Sequence, residues 1–186
     1  MAASGYILSE EHKALAQVLA EISFAKYQNN PGHYRNLLNS HLVGRLGEFA
    51  SFTLLHDLGF HPVINAGTKD GDKLADIHCD IGRVEVKTWS AKHWVEYGRC
   101  VSVSQLASIR KKADIILWCV ADDVDSDTPK VTFKGFSDVA IVDKNPATYM
   151  GVITRQVLNH QLDESDLQPL SELTRGSNYA TARHSA

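Results

Sequence analysis

A segment of alternating polar and apolar residues, ADIHCDIGRVEVKTW at positions 75–89, most constrains the fold of this chain. Successive side chains of a β-strand point to opposite faces of a sheet. The alternation therefore predicts two short strands, at about Ala75–Cys79 and Arg83–Trp89, joined by a two-residue turn at Ile81-Gly82. A chain with this segment must place it in a sheet that has one apolar face and one charged face.

The predicted turn sets the register of the two strands, in which residue 78 pairs with 85 and residue 76 with 87. One face is then apolar and packs against the interior, through Ala75, Ile77, Cys79, Val84 and Val86. The opposite face gathers mainly charged and polar side chains, namely Asp76, His78, Asp80, Glu85, Lys87 and Trp89.

Helical signals precede this hairpin. Ser9 is followed by an amphipathic stretch that predicts a capped helix to about Tyr27. A second helical stretch begins near Pro31, and the clearest helix runs from about His41 to Leu58, where Gly59 occupies the C-cap position. The N-terminal part is therefore expected to be helical over about residues 9–58.

Strands and helices are mixed in the remainder of the chain. HPVIN at 61–65 predicts a strand, SAKHWVEYGRC at 90–100 a loop, and the stretch from Ser102 or Ser104 to Lys112 a capped helix. ADIILWCVA and KVTFKGF predict strands that flank an acidic turn. We expect a short helix within 138–149, and a short strand followed by a closing helix within 156–173.

Length and composition fit one globular domain, since the chain has 186 residues, of which 44% are hydrophobic and 22% charged. Its apolar runs are too short to cross a bilayer, and its N-terminus carries no signal-peptide pattern. Three cysteines without CxxC spacing indicate reduced thiols and a cytoplasmic protein. The prediction is a single α/β domain over residues 1–175 and a flexible tail at 176–186.

The net charge of −3 hides a local excess of positive charge. Between Arg83 and Lys112 there are seven Lys or Arg residues and two acidic ones. Because screening confines charge effects to about 10 Å at ordinary salt, a basic face on an acidic protein is possible. A solvated helix end at Arg110–Lys112 explains part of the same pattern.

Carboxylates gathered on one face of the hairpin repel each other unless a cation lies between them. Mg²⁺ takes one or two carboxylates and leaves the rest of its shell to water and phosphate. A neighbouring lysine can orient a water or offset charge on a phosphoryl group. Asp76, Glu85 and Lys87 thus suit phosphodiester hydrolysis. The simpler alternative is a solvated face with a cross-strand ion pair between lysine and aspartate.

A third carboxylate, Glu48, lies on the helix HLVGRLGEFASFTLLHDLGF. Gly44 and Gly47 on this helix each cost about 1 kcal/mol relative to alanine, which makes sense where the helix approaches another element closely. Glu48 is therefore expected to face the hairpin. Alternatively, it is a surface residue beside a packing pair of glycines.

The ordered set of Glu48 on a helix, Asp76 in ADIHCD and Glu85-Val86-Lys87 in VEVK resembles the PD-(D/E)XK nuclease superfamily, with its restriction-endonuclease-like and Holliday-junction-resolvase-like members. The resemblance spans roughly residues 44–121. It implies a mixed central β-sheet flanked by helices, and a nuclease that depends on Mg²⁺, for which Mn²⁺ substitutes.

Carried over by position, the resemblance implies that Asp76 and Glu85 hold metal together with the main-chain carbonyl of Val86. Lys87 is then the catalytic lysine, and Glu48 the auxiliary carboxylate. The sequence departs from the family pattern at Ala75, where the name-giving proline would stand. It also has Q-x-x-x-I from Gln105, where some exonuclease-like branches have Q-x-x-x-Y, which argues against an exonuclease subtype.

Basic and aromatic residues after the hairpin suit contacts with a phosphate backbone and with bases. We assign substrate binding to Lys92, His93, Trp94, Arg99 and Gln105. A surface loop tucked in by its aromatic side chains is the alternative. His78, Asp72 and Asp80 are weaker site candidates, and Asp80 is expected in the turn.

The sequence contains no P-loop, HExxH or GxSxG motif. The resulting hypothesis is a Mg²⁺-dependent DNA endonuclease that cuts both strands as a homodimer and leaves a 5'-phosphate, as the resemblance implies. The alternatives are a catalytically silent nucleic-acid-binding or interaction module on the same fold, and a purely structural protein.

Overall fold

Two sheets and four helices make up the described part of the chain, in a computed structural model that covers residues 5–29, 37–65, 73–151 and 156–173. The helices are α1 (Glu10–Tyr27), α2 (Leu38–Asp57), α3 (Ala91–Tyr97) and α4 (Val103–Lys112). The strands are β1 (Gly5–Ile7), β2 (Val63–Ile64), β3 (Ile77–Cys79), β4 (Gly82–Ser90), β5 (Cys100–Ser102), β6 (Ile115–Asp122), β7 (Lys130–Asp138), β8 (Thr148–Met150) and β9 (Val157–Gln161).

The larger sheet has six strands in the order β1-β7-β6-β4-β3-β2. β4 and β6 run parallel, whereas the other neighbouring strands are antiparallel, so the sheet is mixed. The smaller sheet has the order β5-β9-β8 and is antiparallel. The mixed α/β architecture expected from the sequence is confirmed.

The helices bury both faces of the larger sheet. Side chains of α1 and α2 pack with Val84, Val86, Leu117 and Cys119 on one face. Side chains of α3 and α4 pack with Ile116, Trp118 and Val120 on the other face. β6 is buried over nearly all of its length because its residues alternate between these two cores. The neighbouring strand β4 is thereby fixed between layers and can hold polar side chains in place.

The N-terminal helices follow their sequence signals. Ser9 caps α1, since its side chain accepts a hydrogen bond from the amide of His12. α2 ends at Asp57, and Gly59 adopts a φ of 84° just beyond it, a conformation that favours glycine. The expected helical stretch from Pro31 falls partly on residues 31–36, outside the described part of the chain.

The hairpin forms with a turn one residue earlier than predicted. Cys79 pairs with Gly82 and Ile77 with Val84, so Asp80 and Ile81 form the turn. Gly82 starts β4 with a φ of 120°, which disfavours any other residue there. The predicted pairing of residue 78 with 85 is therefore wrong by two positions. Because the side-chain period of a strand is two, the strand residues keep their predicted faces. Ala75, which precedes β3, does not, since it belongs to the other core with Trp94 and Trp118.

Three other expectations are wrong. Residues 90–100 form α3 and the start of β5 instead of a loop, because buried Trp94 anchors the helix to the core. Within 138–149 the expected helix is one 3-10 turn, followed by the start of β8. Within 156–173 the expected short strand is present as β9, which pairs with β5 and β8, but two 3-10 turns take the place of the expected closing helix.

The predicted flexible tail at 176–186 lies outside the described residues. Within the described ranges, no helix combines the length and apolar character that spanning a membrane requires.

The two glycines of α2 differ in their surroundings. A Cβ atom on Gly47 would lie 1.7 Å from Oγ1 and 2.8 Å from Cβ of Thr88 on β4, whereas a Cβ on Gly44 would meet nothing within 4 Å. The close approach expected from the sequence thus occurs at Gly47 and not at Gly44.

We predict opposite stability changes at these two positions. Gly47→Ala should lower the free energy of unfolding by about 1–3 kcal/mol because of the collision with Thr88. Gly44→Ala should raise it by about 0.5–1 kcal/mol because alanine favours the helix. Urea unfolding followed by circular dichroism measures both. Adding Thr88→Ala to Gly47→Ala should recover part of the loss, and equal losses at both glycines would contradict the close approach.

Candidate active site

The site lies at the N-terminal end of β3, just beyond the part of β4 that β3 pairs with. β4 continues for nine residues, but β3 pairs with its first part only, from Gly82 to Val84. Asp76, which directly precedes β3, takes the place of the missing strand, because its Oδ2 accepts a hydrogen bond of 2.8 Å from the amide of Val86. The carboxyl group of Asp76 therefore lies beside residues 85–86.

Glu85 is the most deeply buried acid of the site, with 4% of its surface exposed. Its Oε1 lies 2.9 Å from Nζ of Lys87 on the same strand. Its Oε2 lies 2.8 Å from Nζ of Lys112, which comes from the end of α4. Each oxygen of this carboxylate thus faces its own ammonium group.

Glu48 reaches the site from α2. This helix covers the face of the larger sheet that lies opposite to α3 and α4. Arg45 holds the Glu48 carboxylate at 2.6 Å and also donates a hydrogen bond to Ser23 of α1. The charges of Glu85 and Lys112 act on Glu48, and its own charge acts on Asp76. Three carboxylates and three cationic side chains therefore converge at the N-terminal end of β3. They are Glu48, Asp76 and Glu85, and Arg45, Lys87 and Lys112.

Burial and mutual repulsion make this cluster electrostatically unusual. Burial, followed by the charges of Glu85 and Glu48, raises the pKa of Asp76 well above its usual value. Burial also raises the pKa of Glu48, although Arg45 opposes it. Burial alone would raise the pKa of Glu85 too, but attraction to Lys87 and Lys112 outweighs it and lowers that pKa. Glu85 is thus the acid that stays ionised most readily.

The donor set at this point fits a hard divalent cation. Asp76 and Glu85 supply carboxylate oxygens, and the crowding of acids that raises the pKa of Asp76 is what a cation relieves. The N–H and C=O of one residue in an extended strand point to the same side of the strand, in parallel and antiparallel ladders alike. The carbonyl of Val86 therefore points, like its amide, toward Asp76.

No group of three His, Cys, Asp or Glu side chains within the described ranges is arranged as a metal-holding cluster. Mg²⁺ does not require one, since it is commonly held by one or two carboxylates and several waters. Asp76, Glu85 and the Val86 carbonyl are the groups that would hold it.

The residues assigned to substrate binding separate into two groups. Trp94 is buried and lies 5.3 Å from the guanidinium of Arg99, which donates a hydrogen bond to the carbonyl of Leu162. Both side chains support the small sheet. Lys92 and His93 are exposed on α3, directly after β4, and Gln105 is half-buried on α4. The substrate-binding residues predicted from the sequence are therefore not brought together as one exposed group.

The weaker site candidates take other positions. Asp80 lies in the turn, as expected, and pairs with His61 at 2.9 Å. His78 is half-buried on β3. Trp89 stacks against Tyr97 with their rings 6.4 Å apart. Asp72 lies outside the described residues.

Sequence reasoning missed Lys112 as a site residue. It is the last of three consecutive basic residues, which together indicate a basic face or a solvated helix end. However, Leu106 and Ile109 of α4 are buried, and residues three apart on a helix share a face. Helical periodicity therefore distinguishes Lys112 from the exposed Lys111, and this signal was present in the sequence.

In comparisons with known proteins, no protein-family model, no curated protein and no solved structure matches this chain.

The raised pKa of Asp76 predicts a stabilising active-site substitution. The folded protein holds the proton of the Asp76 carboxyl group more tightly than the unfolded chain does. The stability of the fold therefore falls as the pH rises from the ordinary pKa of aspartate, about 3.9, through the raised pKa of Asp76. Asp76→Asn keeps an acceptor for the Val86 amide and removes the charge. In the presence of EDTA and near pH 7.5, we expect this substitution to raise the melting temperature by about 2–4 °C.

This difference should shrink at pH 4, where the wild-type carboxyl is protonated. Thermal unfolding across the pH series is the measurement, and Asp127→Asn in an exposed turn is the control. A variant that is less stable than wild type at every pH would contradict the repulsion among the buried acids.

Proposed function

We propose that the protein is a Mg²⁺-dependent DNA endonuclease of the PD-(D/E)XK type, with a restriction-endonuclease-like fold. The observation that carries the proposal is the convergence of Asp76, Glu85 and Lys87 beside the N-terminal end of β3. The mixed sheet with helices on both faces supports the same assignment.

The chemistry follows from the side chains around this point. A cation bound there would supply Lewis acidity and lower the pKa of a water molecule. Asp76, Glu85 and the Val86 carbonyl would hold it. Lys87 orients the attacking water or offsets charge on the phosphoryl group. The water loses a proton and its oxygen forms a bond to phosphorus while the bond from phosphorus to the 3' oxygen breaks. That oxygen takes up a proton and leaves as a 3'-hydroxyl, so the other product carries a 5'-phosphate.

Other residues bind and position the substrate in this proposal. Lys92 and His93 contact the DNA backbone beyond the end of β4, and Gln105 contacts a phosphate or a water. Glu48 assists from α2, where Arg45 fixes its carboxylate. A homodimer gives the simplest way for one short chain to cut both strands.

The charge pairing also favours a second candidate, a nucleic-acid-binding module without catalysis. Both oxygens of Glu85 are already paired with lysines, and Glu48 is paired with Arg45. The cluster is therefore electrically balanced by the protein itself. A module of this kind binds DNA in the absence of divalent cations and never cuts it.

Cleavage assays separate the two candidates. We expect wild-type protein to cut plasmid, single-stranded or branched DNA with Mg²⁺ or Mn²⁺ and not with EDTA. Lys87→Ala should lower the cleavage rate by at least about 10²-fold, a loss typical of removing a group that stabilises transition-state charge. Lys130→Ala, at an exposed position on β7, is the control and should cut at the wild-type rate.

Binding to DNA without cutting of any of these substrates would favour the module instead. Equal cleavage by wild type and Lys87→Ala would remove that lysine from the proposed mechanism.

A further inference from the structure

Lys112 enters the acidic cluster from α4, and the sequence of the hairpin gives no hint of it. It is the last residue of that helix, its side chain is 14% exposed, and its Nζ lies 2.8 Å from Oε2 of Glu85. The neighbouring basic residues point elsewhere, since Arg110 pairs with Asp143 and Lys111 is exposed. A buried lysine is costly unless it is paired, so this placement depends on Glu85.

The formal charges of the cluster explain what Lys112 does for the free protein. Three carboxylates, when ionised, are matched by Arg45, Lys87 and Lys112. Without Lys112 the buried acids would carry an uncompensated charge. With a divalent cation added, the cluster would instead carry two excess positive charges, which suits a phosphodiester that gains negative charge during hydrolysis.

The two lysines on Glu85 come from different elements. Lys87 lies two residues away on the same strand and the same face, so its Cα keeps a fixed distance from Glu85. Lys112 reaches Glu85 from the end of α4. Its four-carbon stem has rotatable bonds, so its ammonium can leave Oε2 without any movement of β4.

We infer that Lys112 couples cation binding to DNA binding. It holds Oε2 of Glu85 in the free protein, yields that oxygen to a divalent cation, and transfers its ammonium to a phosphate oxygen of the DNA backbone. This inference rests on the proposed nuclease function. Because binding linkage is reciprocal, the cation strengthens DNA binding by the same factor as DNA strengthens cation binding.

Two binding measurements on the intact protein test the exchange. Calorimetry gives the affinity for Ca²⁺, an oxygen-seeking cation like Mg²⁺, in the absence of DNA. Fluorescence anisotropy gives the affinity for a labelled DNA duplex with and without Ca²⁺, and a gel checks that the DNA is intact. We expect Ca²⁺ to tighten DNA binding by wild type at least about 5-fold, within the usual range of coupling.

In Lys112→Gln, the freed carboxylate should bind Ca²⁺ more tightly than wild type does, and Ca²⁺ should strengthen DNA binding less. Lys111→Gln, which removes the adjacent exposed charge, should match wild type in both measurements. Ca²⁺ affinity at or below the wild-type value in Lys112→Gln, or unchanged coupling, would overturn the inference.

A second variant decides the question if Lys112→Gln does not fold. Glu85→Gln removes the partner of Lys112, so the ammonium should contact phosphate without any cation. DNA binding in EDTA should then be tighter than in wild type, and also tighter than in Asp76→Asn, which removes a neighbouring charge but frees no lysine. Equal affinities of the two variants would refute the exchange.

The outcomes also separate this inference from the proposed function. Wild-type protein that neither binds Ca²⁺ nor cuts DNA refutes both. Metal-dependent cutting by wild type, together with unaltered Ca²⁺ affinity and coupling in Lys112→Gln, refutes only the role of Lys112.

Discussion

The burial of the Glu85 carboxylate is the constraint on which the rest of the site depends. A charged group removed from water is strongly unfavourable unless it is paired and hydrogen-bonded. Lys87 and Lys112 provide that pairing, one on each oxygen. Their attraction outweighs the effect of burial and lowers the pKa of Glu85. At Asp76 the same two lysines act more weakly than burial and the neighbouring acids, so its pKa rises. The pKa values of these two acids thus shift in opposite directions.

The pairing of Glu85 also ties together elements that are distant in sequence. Lys112 brings the end of α4 against β4, and Arg45 links Glu48 of α2 to Ser23 of α1. Gly47 lets α2 approach Thr88 on β4. The electrostatic cluster is therefore held by rigid helices and a central strand, which limits how far most of its groups can move and fixes their mutual geometry.

The sequence predicted the elements with strong periodicity, because their patterns are local. α1, α2, α4, β6 and the division of the hairpin into two faces all followed from such patterns. The small sheet was missed because its strands pair residues far apart in the chain, such as Cys100 with Gln161. Trp94 was assigned to substrate because a sequence does not reveal that one tryptophan is buried. Lys112 was missed because its neighbours masked its helical position.

The turn at Asp80 and Ile81 has a consequence for how such a site can vary. In the observed register, Asp76 continues the ladder opposite Glu85, two residues from the position that the sequence suggested. A two-residue slip preserves which face is charged but moves one strand by about 7 Å along the other. The position of this turn, which has two residues in either register, therefore decides which acidic and basic side chains become neighbours, while each strand residue stays on its own face.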